Sequence, residues 1–546
     1  LGAVLPFIGI LTQPEKVFES PRLEDFINFF GISSGDELIL PLTVTFGLAA
    51  IVAGALRLTL LWVSIRLSNA TGADLSIEVY KRTLYQPFRV HLERSSSEII
   101  SGITQKVSAA TGVLLAITAI ITSSFLFGSI MTTMLLVDPF VMIVAGLSFG
   151  TAYSLIALFT SKRFELNSIS IASQQTQVVK ALQEGLGAIR DVILDATQRV
   201  YTNIYQKAIL LLMKANGENR FMNQAPRYAM ESLGMVLIAA FVLALTNRPG
   251  GVTAALPLLG LLALGAQRLL PLMQQIYGNW SVVAGSHAAL DDVVELLDQP
   301  FPQHYYEAET EPLLINNSIS VQNLSFRYNE KSPWVLDNIS FKIKKGSRIG
   351  LIGSTGSGKS TTLDLLMGLL EPTNGNLLID DHAIDDSSIR SWRQTVAHVP
   401  QSIFLADTSI AENIAFGVPS EEINITQVRD AAKKAMISDF IESRAEGYDE
   451  LVGERGVRLS GGQKQRIGIA RALYKKASII IFDEATSALD NETEKVVMEA
   501  IRNLGKDLTL IIVAHRLTTL KNCSQIIELD KGKISNIGSY DEIINK

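Results

Sequence analysis

Five apolar runs, near Leu38–Leu67, Gly112–Val137, Phe140–Thr160, Ala225–Leu245 and Gly251–Gln275, are each long enough to cross hydrocarbon about 30 Å thick at about 1.5 Å per residue. Inside lipid a backbone N–H has no water to bond, so runs of this kind are expected to fold as helices that satisfy themselves. All five lie in the first half of a 546-residue chain. The second half has the composition of an ordinary soluble domain, so the mean hydropathy of +0.25 averages two unlike halves. The length also exceeds what one compact core accommodates. The opening LGAVLPFIGIL is apolar but too short to span, and it reads as the tail of a further helix, for six in all. It has no basic leader or small-residue cleavage site, which disfavours a secretory signal.

Basic residues set the orientation. At the end of the Leu38–Leu67 run and beyond it come Arg66, Lys81, Arg82, Arg89, Arg94 and Lys106, and after Phe140–Thr160 come nine more, from Lys162 to Arg227. The opposite loops are nearly bare: none at Asp138 and Pro139, Arg248 alone in NRPGG, Lys16 and Arg22 in the first loop. By the positive-inside rule the long polar segments are cytoplasmic. They keep helical apolar spacing past the membrane, which predicts rods that turn near Gln86–Ser97 and Glu184–Asp195.

The second half carries the chemistry. An apolar strand, Arg348 to Ile352, leads into GSTGSGKS, that is Gly353, Ser354, Thr355, Gly356, Ser357, Gly358, Lys359 and Ser360, with Thr361 continuing into a helix. The glycines let backbone N–H groups close around phosphate oxygens, and the helix N-terminus favours anions. Lys359 suits the β/γ-phosphates, and the Ser360 hydroxyl suits Mg²⁺. Downstream, Ile479, Ile480, Ile481 and Phe482 read as a buried parallel strand delivering Asp483 and Glu484 at its carboxyl end. Asp483 is placed for the Mg²⁺ shell. Glu484 is placed to polarise a water, a role worth about 10² to 10⁴ in rate. Between these motifs, LSGGQKQRIGIARAL sets Ser460, Gly461, Gly462 and Gln463 ahead of a helical segment, giving a second anion site distinct from the first. One chain thus holds two half-sites.

From about Ser318 to Lys546 these residues resemble the ATP-binding cassette (ABC) family. The resemblance implies that Tyr328 stacks on adenine, that Gln401 in HVPQSIF senses Mg²⁺ and water, that Asp490 in SALD links two ATP sites, and that His515 in VAHR contacts the γ-phosphate. It implies also that the LSGGQ loop meets a γ-phosphate held by another subunit, so the partner is a second copy or a related half-transporter. In ABC exporters of this build the cytoplasmic turns are coupling helices, one expected on the chain's own ATPase and one on the partner's. The expected fold is an α-helical membrane domain of six spans fused to an α/β P-loop ABC ATPase: residues 1–297, a linker at 298–317 rich in prolines and acids, and 318–546. The expected setting is a bacterial inner membrane with the ATPase in the cytoplasm.

Three ionisable residues interrupt the apolar spans, Arg57, Glu231 and Arg268. Each costs about 2.5–3.5 kcal/mol at mid-membrane, so each needs a partner or a wet cavity. They lie at similar depth, about 25 Å from the outer face. Either Arg and Glu pair to lock spans together, or the surplus positive charge receives an anionic head group from the cytoplasmic leaflet. The segments PRYAMESLG, LGAQRLLPLMQQIYGNW, LPFIGIL and SSEIISGIT look like those of bacterial lipid-linked oligosaccharide flippases and polysaccharide exporters, which implies a polyprenyl-pyrophosphate sugar as cargo. Multidrug, lipid or peptide export is the alternative. The membrane spans exclude a soluble ABC ATPase, and the fusion of both halves disfavours an importer. A complete set of Lys359, Asp483, Glu484 and His515 disfavours a non-hydrolysing channel or regulator. A net charge of −6 gives no sign of nucleic acid, and the single Cys523 excludes an intrachain disulfide.

Overall fold

The computed structural model describes residues 39–135, 139–246, 251–301, 311–484, 491–502, 507–514 and 517–544, with Ser34, Glu37 and Gly505. The chain divides into two compact units. One comprises Leu1–Gln86 and Glu93–Phe301, the other Pro87–Leu92 and Pro302–Lys546.

The first unit is helical. Its elements are α1 (Ile39–Leu84), the residues of α2 that fall in it (α2 being Phe88–Glu93), α3 (Ser96–Leu135), α4 (Pro139–Gly187), α5 (Ile189–Leu194), α6 (Gln198–Thr246), α7 (Gly251–Gly285) and α8 (His287–Leu297). Among the described residues three helices are long and apolar enough to cross a membrane: Ile39–Leu84, Ser96–Leu135 and Met142–Gly187. The rods expected from the spacing are present. α4 and α6 each run 49 residues, about 70 Å at 1.5 Å per residue, more than twice the hydrocarbon thickness. Short α2 and α5 occupy the two turns. Within the unit α4 packs on α6, and α7 packs on α3 and α6. Tyr153, Met230 and Tyr277 make a buried cluster there. The apolar window of α1 has none of its residues buried, with Ile51 70% and Leu56 66% exposed, as suits a surface meant for lipid tails or a second chain.

The second unit is built on two sheets. β1 (Ser318–Phe326), β2 (Leu336–Lys344), β4 (Asn374–Ile379) and β5 (His382–Ala383) form an antiparallel sheet ordered β2-β1-β4-β5. The other sheet is ordered β10-β9-β3-β8-β7-β6, with β3 (Arg348–Gly353), β6 (Val396–Val399), β7 (Ile479–Asp483), β8 (Thr509–Val513) and β9 (Gln525–Asp530) parallel and β10 (Lys533–Gly538) antiparallel. Alternation along β7 explains its continuous apolar run. Ile479 and Ile481 face the core shared with β1, β2 and Trp392, while Ile480 and Phe482 face the core under Ile467 and Ile469. Each of these side chains is 1% exposed or less, worth about 1.5–3 kcal/mol of burial. The segment Pro87–Leu92 belongs to this unit, and Phe88 packs against the Trp392 core. Leu313–Asn317 is ordered by the same unit: Leu313 N–H donates to Ser391 O, and Asp380 accepts from the N–H groups of Asn316 and Asn317.

Cys523 sits just before β9, 8% exposed, and burial pushes its thiol up to about 12 although Arg348 pulls the other way. The thiolate is the nucleophile. Alkylation by iodoacetamide at pH 8 is therefore expected to be at least about 10³-fold slower for the folded protein than for the denatured chain, as followed by mass spectrometry.

Candidate functional site: a phosphate loop, two carboxylates and a capped helix

β3 ends in the phosphate loop, and α9 (Lys359–Leu366) starts where it closes. Two glycines there have no substitute. Gly353 has φ +151° and a Cβ on it would lie 2.2 Å from Leu529 O, and Gly358 has φ +101° with Leu336 Cδ2 2.6 Å from the same point. The Lys359 ammonium is 8% exposed and donates to the carbonyls of Gly353, at 2.8 Å, and Ser354, at 2.9 Å. Ser357 is buried under the loop and its Oγ finds no partner among the described residues, an orphaned donor of the kind a phosphate oxygen satisfies. Ser354, Thr355 and Gly356 are exposed at the mouth, as is Ser360. Tyr328 packs edge-on against Phe326, centroids 5.1 Å apart, and its hydroxyl lies 3.4 Å from Thr361 Oγ1. This aromatic thus packs on β1 and reaches the phosphate-loop helix.

Register brings the other groups in. Val399 of β6 lies beside Phe482 of β7, so the residues that follow each strand end meet: Gln401 Nε2 donates to Glu484 Oε2 at 3.1 Å. Glu484 has φ +50°, a backbone strain that non-glycine residues keep where a side chain must be aimed. Asp483 faces a carboxylate that the sequence reading missed. Asp364, on α9, is pushed up to about 6, chiefly by burial and then by the charge of Asp483. The Asp483 carboxylate and the Ser360 hydroxyl are oxygen donors of the kind that fit a hard divalent cation such as Mg²⁺.

The LSGGQ run opens α10 (Gly461–Tyr474) with a capping box. Ser460 Oγ accepts from Gln463 N–H at 3.3 Å, and Gln463 Oε1 accepts from Ser460 N–H at 2.8 Å. Those two residues are committed to each other, which leaves the glycine N–H groups and the helix dipole to face an anion. Two further residues tie α10 to the Gln401 segment. Gln465 Nε2 donates to Gln401 O at 2.8 Å, and Arg471 donates to Asn413 O and Phe404 O while stacking on Phe416. Burial lowers the Arg471 guanidinium to about 10. The periodicity of the buried face, Gly462, Gln465, Ile469 and Ala472, marks Gln465 as a buried amide in need of a partner. A groove of about 380 Å³ lies between Gln401, Phe404, Arg455 and Gln465. Asp490 and His515 lie outside the described residues.

In the helical unit Glu231 takes its partner from its own helix: Arg227 Nε lies 2.8 Å from Glu231 Oε1, one turn earlier. Both line a cavity of about 370 Å³ with Tyr153, Gln267 and Gln274. No hydrogen bond or ion pair joins Glu231 to Arg57 or Arg268 among the described residues. Arg57 and Arg268 are both exposed. Arg227 is the residue missed; the four-residue spacing to Glu231 was its signal.

Residues 336–487 match the family described as ABC transporter, and residues 18–250 match the ABC transporter transmembrane region. The chain is 30% identical over 505 residues to the ATP-dependent lipid A-core flippase of Alkalilimnicola ehrlichii, covering 89% of this chain and 82% of that protein. It is 42% identical over 274 residues to the alpha-hemolysin translocation ATP-binding protein HlyB of Escherichia coli, covering 50% of this chain and 38% of that one. Among solved structures, a bacterial Atm1-family ABC exporter with ATP bound matches with a TM-score of 0.78 at 24% identity, over 100% of this chain and 95% of the other.

Asp364 gives a pH prediction. Its carboxyl is raised in the folded state, so the neutral form is favoured; that contribution is full below an unfolded value of about 4 and is lost as pH rises through about 6. Asp364→Asn is expected to be more stable than the parent by about 1 kcal/mol at pH 8, after allowance for solvent screening. The gain vanishes near pH 4. Thermal melts in EDTA across pH 4–8 measure it.

Proposed function

Within the ABC transporter family, to which this chain belongs as an ATP-hydrolysing exporter, we propose that two copies bury two ATP molecules at their seam and move an anionic amphipathic lipid, a lipid-linked oligosaccharide or a near relative, from the cytoplasmic leaflet outward. In this reading the γ-phosphate bound at Lys359 of one copy is met by Gly461 and Gly462 of the other, so nucleotide is needed to close the pair. The arriving phosphates take over the Lys359 ammonium from Gly353 O and Ser354 O. Tyr328 flanks the base. Ser360, Asp483 and Gln401 would hold Mg²⁺, which when bound would supply positive charge against the phosphates. Glu484, oriented by Gln401, accepts a proton from the attacking water, with His515 at the γ-phosphate and Asp490 linking the two sites. Closure moves the cytoplasmic rods and opens the cargo path outward, and hydrolysis resets it.

The observation that carries the cargo class is charge. Glu231 is engaged by Arg227, so the positive charge of Arg57 and Arg268 has no carboxylate of its own in the spans among the described residues. A lipid phosphate or pyrophosphate supplies the missing negative charge. The lipid cargo in the name of the flippase from Alkalilimnicola ehrlichii favours a lipid over a drug or peptide. The dimer draws support from exposed apolar residues at the second cytoplasmic turn, Leu186 67%, Ile193 62% and Leu194 80%, which a partner's ATPase would cover. The family setting and the bacterial relative favour a bacterial inner membrane.

Two measurements test this in proteoliposomes. Glu484→Gln is expected to lower ATP turnover by about 10² to 10⁴ with ATP binding retained; undiminished turnover removes Glu484 as the base. Arg57→Ala and Arg268→Ala are each expected to reduce flipping of a polyprenyl-pyrophosphate sugar by about tenfold, the loss of one charge-assisted contact, with basal ATP turnover kept. Unchanged flipping in both variants rejects the anionic-lipid reading.

A further inference from the structure

The chain leaves the helical unit twice, at Gln86 for the segment Pro87–Leu92 and at Phe301 for the ATPase unit proper. On the helical side both exits are tied to one another. Gln86 Nε2 donates to Pro300 O at 3.0 Å. Arg82 donates to Leu297 O and, at 3.3 Å, to Gln299 O. The Tyr85 and Phe301 rings lie 5.5 Å apart, and Lys81 stands 4.8 Å over Phe301. Deeper in, Lys106 Nζ meets Asp292 Oδ2 at 2.6 Å with its side chain only 6% exposed, and Arg94 meets Glu295 at 2.7 Å. Asp292 and Glu295 stand on α8, one turn apart, and Val79, Val107, Val293 and Leu296 pack between the same elements.

A lysine so far withdrawn from water is held only by a well-placed counter-charge. Its setting is special as well. Lys106 ends a π-helical stretch, Gly102–Lys106, inserted in α3, a rare irregularity found frequently at functional sites. Here the residue at its end is the one that meets Asp292.

We infer that Lys106 and Asp292, with Arg94 and Glu295, are positioning residues that latch α8 to the base of α3, so that both exits from the helical unit move as one piece when nucleotide closes the ATPase units. ATP chemistry does not need the latch; transmission to the outer end of α3 does. The chain then cannot yield at one exit while the other is displaced.

The test uses the full-length protein in proteoliposomes with a bimane probe at Thr132→Cys, on the exposed outer part of α3; the buried Cys523 stays unlabelled. Emission is compared without nucleotide and after trapping with ATP and vanadate, and ATP turnover is measured on the same samples. Lys106→Met and Asp292→Asn are expected to displace the ATP midpoint of the emission change about 2- to 30-fold, the range of coupling-network variants, while turnover stays within about threefold of the parent. The charge swap Lys106→Asp with Asp292→Lys is expected to restore the midpoint. The more exposed pair gives a variant that spares folding: Arg94→Gln is expected to shift the midpoint in the same direction. An unshifted midpoint, a parallel loss of turnover and emission change, a swap without restoration, or a parent with no emission change overturns the latch.

Discussion

Parallel pairing of β6, β7, β8 and β3 is the constraint from which the ATP site follows. β7, β8 and β3 are buried along their length, so their polar backbone can be satisfied only by neighbouring strands, and the direction they share with the edge strand β6 puts all carboxyl ends on one side. Lys359, Gln401, Asp483 and Glu484 come from three different strand ends, yet none needs a long loop to arrive. The 3.1 Å contact of Gln401 with Glu484 is a consequence of Val399 lying beside Phe482. A slip of one residue in that pairing would turn Ile480 and Phe482 to the wrong core and carry the carboxylates away together.

The helical unit obeys a different rule. Its backbone is satisfied within each helix, so side chains alone decide which rods touch. Among the described residues polar side chains join the rods at separate points, as where Asn223 donates to Gly278 O, Asn167 to Asn219 and Ser123 to Gln275. Near the cytoplasmic ends charge takes over, with Arg82, Arg94 and Lys106 gathering the end of α8 around α1 and α3. The unit is thus apolar and loosely specified where lipid surrounds it, and charged and specific where the chain passes to the ATPase.

Most of the ATP site was legible in the sequence because its parts are local. Glycines at Gly353 and Gly358 announce positive φ, and four apolar residues followed by two acids announce a buried strand end. The turns at α2 and α5 were legible from helical spacing that outlasts the apolar runs. What was hidden depends on partners far apart in the chain. Arg94 and Glu295 are separated by 201 positions, and neither carries a motif. Asp364 looks like any helix acid until Asp483 is beside it. The Ser460 and Gln463 box was readable as a cap, and reading it so would have moved the anion-facing role onto the glycines. The sequence left open whether Glu231 pairs with an arginine on another span, and Arg227, four residues away on the same helix, was the nearer partner.

The ammonium of Lys359 resting on the Gly353 and Ser354 carbonyls has a thermodynamic corollary. In the proposed reading, where this lysine meets the triphosphate, a loop already stapled by its own side chain has given up during folding the disorder it would otherwise surrender on binding. Capture then becomes a swap of acceptors around a cation whose position is settled beforehand, so affinity is governed by the difference between two carbonyls and a chain of phosphate oxygens and hardly at all by rearrangement of the polypeptide.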